Sequence, residues 1–194
     1  GCQGRRELSC SGHVIMGIGG LGGGIHNPNG LEVGAVRDHR NKTGTVDGFS
    51  GGDAISEGEL LRLECDVLVP AAVAKQITGK NAGDIQARMV AEAANGPTSA
   101  RGERILFERG IPVIPDLLGN SGAAIIAYFE WVQNRMGYKW TEDIVHERLD
   151  RMALEAYERA RKLSGEQKVS LRLATCMIGV KRVAYFDRDR KSVV

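Results

Sequence analysis

The sequence predicts a doubly wound α/β fold, mostly parallel, followed by a helical carboxy-terminal segment. Three observations carry that prediction. Short apolar runs of strand length recur at residues 14–18, 66–69, 89–92 and 111–114. Each run is continuous rather than alternating, as expected for strands buried on both faces of a parallel sheet. Stretches of helical period lie between them, so strand and helix alternate.

The elements follow in order. The run 14–18 is bounded by Gly12 and by a glycine-rich stretch, and 31–42 reads as a helix ending before Gly44. Ser56-Glu57-Gly58-Glu59 has the spacing of a capping box and opens a short helix. Asp66-Val67-Leu68-Val69 is a strand stopped by Pro70; residues 78–85 suit a short helix; 89–92 is the next strand. A helix over 98–109 stops at Gly110, and the strand 111–114 closes at Pro115. From Ser121 the pattern changes. Ile125, Phe129, Val132 and Met136 share one helical stripe; Val145, Leu149, Met152, Ala156 and Leu163 share a second, after Thr141 as N-cap. Leu173, Met177, Val180 and Ala184 form a third, from about Ser170. The expected division is 1–120 for the sheet domain and 121–194 for helices that pack back on it.

Composition narrows the function classes. At 194 residues the chain makes one domain, or one with a helical appendage, and buries roughly 70% of its unfolded surface. Twenty-six basic against 24 acidic residues leave a net charge of +2, which argues against an electrostatic nucleic-acid binder. No apolar run reaches the ~18 residues of a membrane span. Cys2, Cys10, Cys65 and Cys176 form no CxxC pair and have no histidine at ligand spacing, so neither a disulfide framework nor a metal site is expected. Reduced thiols suit a cytoplasmic protein.

Ligands of an open parallel sheet bind at the carboxyl ends of its strands, so the loops 19–30, 70–78, 93–98 and 115–122 are the candidates. Two of them, Ala94-Asn95-Gly96-Pro97-Thr98 and Asp116-Leu117-Leu118-Gly119-Asn120-Ser121-Gly122, each set one asparagine among small residues. Small residues let a flat ring approach the backbone, and an amide pairs with a carboxamide. The same residues are also ordinary turn formers, so both readings stand at this point. Gly17-Ile18-Gly19-Gly20-Leu21-Gly22 is formally GxGxxG, but Gly-Gly-Ile-His-Asn-Pro-Asn-Gly follows before any helix can start. A phosphate loop needs the helix at its third glycine, so the match reads as accidental. His26 and His146 have no evident partner in the sequence.

Taken jointly, Gly23-Gly-Ile-His-Asn-Pro-Asn-Gly-Leu31, Pro70-Ala-Ala-Val-Ala-Lys-Gln-Ile-Thr78, Ala94-Asn-Gly-Pro-Thr98, Pro115-Asp-Leu-Leu-Gly-Asn120 and Tyr128-Phe-Glu-Trp-Val-Gln-Asn134 resemble the cofactor-binding domain of hexameric glutamate dehydrogenases. They stand in that family's order over roughly residues 1–184. The resemblance implies a Rossmann-like sheet, NAD or NADP as cofactor, and oxidative deamination of L-glutamate to 2-oxoglutarate and ammonia. It implies an amino acid substrate and a homo-oligomer when full length, with no nucleic-acid or membrane partner. It puts the nicotinamide near Asn95 and Asn120, the dinucleotide groove along Ala71 and Ala72, and the substrate pocket beside the helix from Ser121.

The departures from the family's pattern carry as much weight. The catalytic lysine and aspartate belong to a preceding substrate domain, so no catalytic residue is expected in this chain, and alone it is expected to be inactive. Gly1 and Gly4 correspond to the last two glycines of the phosphate loop, the first strand being missing. Gly20 stands where an acidic residue would hold the ribose hydroxyls. Ala124 and Ala127 replace a valine and a serine of the substrate side. With the central strand absent, unpaired edges should leave the isolated chain poorly folded or aggregating. Two other functions follow from the same departures: a non-catalytic dinucleotide-binding or regulatory subunit, and a branched-chain amino acid dehydrogenase.

Overall fold

The structure is a computed structural model that describes residues 12–20 and 22–191. Among the described residues up to 120, the strands form two three-stranded sheets. The first is antiparallel, in the order β1 (Gly17–Gly20), β2 (Gly23–His26), β3 (Asp53–Ile55). The second is parallel, in the order β4 (Val67–Leu68), β5 (Met89–Ala91), β6 (Val113–Ile114). The mixed α/β class and the parallel sheet agree with the sequence reading.

The glycine run makes the first sheet possible. Gly22 turns the chain at φ +100°, and Gly20 then pairs with Gly23 and Ile18 with Ile25. A Cβ on Gly24 would lie 3.0 Å from the Ile18 carbonyl oxygen, so the two strands approach only because that side chain is missing. The stretch is therefore a hairpin, and the next helix begins only at Val33; the GxGxxG match is indeed accidental. The strand expected at 14–18 is shifted to Gly17–Gly20, leaving Val14 66% exposed. Behind the hairpin, Ile18, Ile25, Leu31, Val36 and Val46 form a small core. Helix α1 (Val33–Thr43) supplies Val36; the Glu32 carboxylate accepts from the Gly34 and Ala35 N–H groups at its start, and Gly44 ends it at φ +82°.

The expected capping box opens α2 (Glu57–Leu61): Ser56 Oγ accepts from the Glu59 N–H, and Glu59 accepts from the Ser56 N–H. In the parallel sheet Val90 is fully buried at the centre, with Leu68 and Val113 beside it in register. Helix α3 (Ala100–Glu108) crosses from β5 to β6, starting at Ser99, whose hydroxyl accepts from the Gly102 N–H. Its Leu106 closes a core with Leu61, Ile77, Ala82, Ile85, Ala87 and Val90. The helix expected over 78–85 shrinks to one 3-10 turn at Ala82–Asp84. There the Asn81 side chain accepts from the Thr78 N–H and donates to the Gln76 carbonyl, satisfying the backbone as a turn.

After β6 come α4 (Asp116–Gly119), α5 (Gly122–Met136), α6 (Glu142–Gln167) and α7 (Leu171–Lys191). The last two pack along each other through small residues, with Ala160 and Ala174 both fully buried. Among the described residues no helix is long and apolar enough to cross a membrane, and no group of three or more His, Cys, Asp or Glu is placed to hold a metal ion.

Candidate functional site

The carboxyl ends of β4, β5 and β6 release three loops; backbone hydrogen bonds join the first two, and side-chain bonds tie in the third to form one surface. The Pro70 carbonyl accepts from the Ala93 and Ala94 N–H groups, at 3.1 and 3.0 Å. The Gly96 carbonyl accepts from the Lys75 N–H, and the Pro97 carbonyl from the Ile77 N–H, both at 2.9 Å. Ala71 and Ala72 lie exposed in the first loop. Gly96 takes φ +55°, a turn that favours glycine, and faces open space.

Asn95 and Asn120, 25 residues apart in the chain, meet across this surface. Asn120 Nδ2 donates to Asn95 Oδ1 at 2.6 Å. The bond leaves Asn95 Nδ2 as a donor and Asn120 Oδ1 as an acceptor on the exposed edge. A donor and an acceptor side by side complement a planar carboxamide.

Beneath the asparagines lies an ionic cluster. Glu92 follows β5 directly and is 1% exposed. One of its carboxylate oxygens accepts from the Asp116 N–H at 2.8 Å and from the Arg172 guanidinium. Asp116 opens α4, and its carboxylate accepts from the Gly96 N–H at 2.8 Å, the Leu117 N–H at 2.9 Å and Arg172 Nη1 at 2.7 Å. Arg172 Nε stands 2.6 Å from Glu103 Oε2, and Ser170 Oγ donates to the other Glu103 oxygen at 2.7 Å. Burial pushes the Asp116 carboxyl up, but the Gly96 N–H and the Arg172 guanidinium outweigh it and hold the group below the usual aspartate value. Burial works against the Arg172 charge, and the Glu92 and Asp116 carboxylates more than offset it, so the guanidinium stays protonated. Gly119 packs on the same spot: a Cβ there would lie 2.5 Å from the Glu92 carbonyl oxygen.

The other candidate residues are spread around this surface. Ala124 and Ala127 are exposed on the first turns of α5. Gly20 ends β1 in the other sheet and is exposed. Gly1 and Gly4 lie outside the described residues. Sequence reasoning missed the ionic cluster. Its one local signal is an acidic residue, Glu92, directly after the apolar strand Met89-Val90-Ala91.

The chain is similar to known proteins in both sequence and fold. The sequence profile of the Glutamate/Leucine/Phenylalanine/Valine dehydrogenase family matches residues 5–190. The NAD-specific glutamate dehydrogenase of Staphylococcus aureus (strain COL) is 46% identical over 179 residues, 92% of this chain and 43% of that protein. The catabolic NAD-specific glutamate dehydrogenase RocG of Bacillus subtilis (strain 168) is 42% identical over 180 residues, 93% of this chain and 42% of that protein. Among solved structures, the hetero-hexameric glutamate dehydrogenase of Thermus thermophilus in its Leu-bound form superposes with a TM-score of 0.90 at 26% identity, covering 98% of this chain and 45% of that one. The glutamate dehydrogenase of Peptoniphilus asaccharolyticus superposes with a TM-score of 0.77 at 31% identity, covering 95% and 43%. The chain thus spans less than half the length of the relatives it matches. With a profile match over nearly its whole length, the chain belongs to the Glutamate/Leucine/Phenylalanine/Valine dehydrogenase family.

Proposed function

We propose that this chain is the dinucleotide-binding part of an NAD-dependent glutamate dehydrogenase. The reaction is L-glutamate, NAD+ and water to 2-oxoglutarate, ammonium, NADH and a proton. The observation that carries the reading is the Asn95–Asn120 pair at the carboxyl edge of a parallel sheet. Its remaining donor and acceptor fit the carboxamide of a nicotinamide, and the open backbone at Gly96 gives a flat ring room to approach. The bound dinucleotide would supply the hydride acceptor. This chain's own residues orient: Asn95 and Asn120 fix the ring's face, while the loop at Ala71 and Ala72 lines the groove. Gly1 and Gly4 belong to the phosphate loop, and Gly20 lies beside the ribose.

The relatives' NAD specificity supports NAD over NADP. Ala124 and Ala127 border the amino acid. The division into 1–120 and 121–194 then separates cofactor residues from helices facing the substrate side. A homo-oligomer suits the exposed apolar residues of the helices, among them Tyr128, Trp131, Val183 and Phe186; the cytoplasm is the compartment proposed with it.

The test is NAD reduction by the full native polypeptide carrying this chain, with L-glutamate, L-leucine and L-valine in parallel. Turnover with glutamate is expected to exceed the other two. A preference for leucine or valine would overturn the substrate, and failure to bind reduced NAD would overturn the whole reading. Asn120→Ala should raise the KM for NAD about tenfold, the effect of losing one well-placed hydrogen bond. An unchanged KM would remove Asn120 from the site.

A further inference from the structure

Arg172 sits on α7, 52 residues beyond Asn120, and faces none of the candidate cofactor residues directly. It is nevertheless wired to both asparagines. Its three guanidinium nitrogens engage three carboxylates on three different segments: Glu92 after β5, Asp116 at the start of α4 and Glu103 in the first turn of α3. Asp116 is the branch point. Its side chain holds the N–H of Gly96, the neighbour of Asn95, at 2.8 Å. Its backbone carbonyl holds the N–H of Asn120 at 3.0 Å. Whatever fixes Asp116 therefore fixes the spacing of the two amides. Two groups fix it: the fully buried Glu92 side chain, through the Asp116 N–H, and Arg172, through the carboxylate. Arg172 also grips Glu92 itself, so the guanidinium closes a loop of contacts under the asparagine pair.

We propose that Arg172 is a positioning residue, which sets the Asn95–Asn120 pair in register for the cofactor by clamping Asp116 against Glu92. The inference rests on the reading of that pair as the cofactor face. Arginine suits the task because its planar fork holds several carboxylates in fixed directions, whereas a lysine ammonium offers one compact charge and no fork. A residue that merely bolted α7 to the sheet would affect stability and leave cofactor binding alone.

The experiment measures the Kd for NADH by its fluorescence, together with Tm, in the full native polypeptide and four variants. Arg172→Gln and Asp116→Asn should each raise the Kd about tenfold, the effect of losing a charge-assisted hydrogen bond. Arg172→Lys should recover only part of that loss. Arg109→Gln is the control: Arg109 donates to the Ala82 and Ile85 carbonyls, each at 2.7 Å, in the core beside α3. It should lower Tm without moving the Kd. If Arg172→Gln lowers Tm while its Kd stays at the wild-type value, Arg172 is only a bolt, and the inference fails while the proposed function stands. If Arg172→Gln does not fold, Asp116→Asn decides: an unchanged Kd overturns the clamp. If the wild-type protein binds no NADH, the proposed function and the clamp fall together.

Discussion

The two sheets of this chain are built by opposite means. The antiparallel sheet is held by backbone closeness: the two strands of its hairpin hold seven glycine and isoleucine residues and one histidine, and a Cβ on Gly24 would lie only 3.0 Å from a carbonyl oxygen. Among the described residues, five are buried in its core. The parallel sheet is held by side chains. Val90, Leu106, Ile77 and Ile85 are each fully buried, and an ionic cluster locks its carboxyl edge. The contrast teaches where precision was placed. The sheet that presents Asn95 and Asn120 has both the deeper core and the charged clamp.

The largest expected effect tests that depth. Leu106→Ala removes a side chain packed among Ile77, Ile85 and Val90 and should cost about 4 kcal/mol. Ile25→Ala, an equal deletion in the shallower core, should cost about 2–3 kcal/mol. Denaturant unfolding gives both numbers. If Leu106→Ala costs no more than Ile25→Ala, the parallel sheet is not the stronger half, and the comparison is broken.

The same contrast explains what could be read from the sequence. The parallel strands were legible at 66–69, 89–92 and 111–114 because each is a continuous apolar run closed by a proline, a charge or a small residue. Strands β2 and β3 were not: Gly-Gly-Ile-His and Asp-Ala-Ile have neither the length nor the pattern of a strand, and only long-range pairing across the α1 connection brings them together. Loop position alone marked Asn95 and Asn120 as candidates, while their residue types read equally well as turn formers. The clamp could not be read, because Glu92 and Arg172 are 80 residues apart, and no local pattern says which carboxylate a helical arginine will meet.

A smaller effect is read by acid. The Asp116 carboxyl lies below its ordinary value in the folded protein, so ionised Asp116 stabilises the fold. That stability is complete above the unfolded-state value, about 4, and is lost as pH falls through the folded-state value. Arg172 stays protonated throughout and contributes no step of its own. The stability gap between wild type and Asp116→Asn should therefore be widest near neutrality and close below pH about 4. A gap that stays constant with pH would mean that Asp116 owes nothing to its charge.

The smallest expected effect lies in the glycine sheet and tests whether it serves the cofactor at all. Gly20 ends β1 with no side chain, where the family resemblance expects a carboxylate against the ribose hydroxyls. A Cβ there would lie 3.2 Å from Val46 Cγ2, and Val46 is buried, so Gly20→Asp should cost about 1 kcal/mol of stability while that methyl group gives way. The added carboxylate can accept hydrogen bonds from both ribose hydroxyls of NAD and repels the 2′-phosphate of NADP. Affinity for NAD should rise about threefold to tenfold, and affinity for NADP should fall. Binding titrations with the two dinucleotides separate the outcomes. A parallel change in both affinities would reflect the packing strain at Val46. Opposite changes would place the end of β1 beside the ribose, making the glycine-built sheet a second wall of the site proposed at the asparagines.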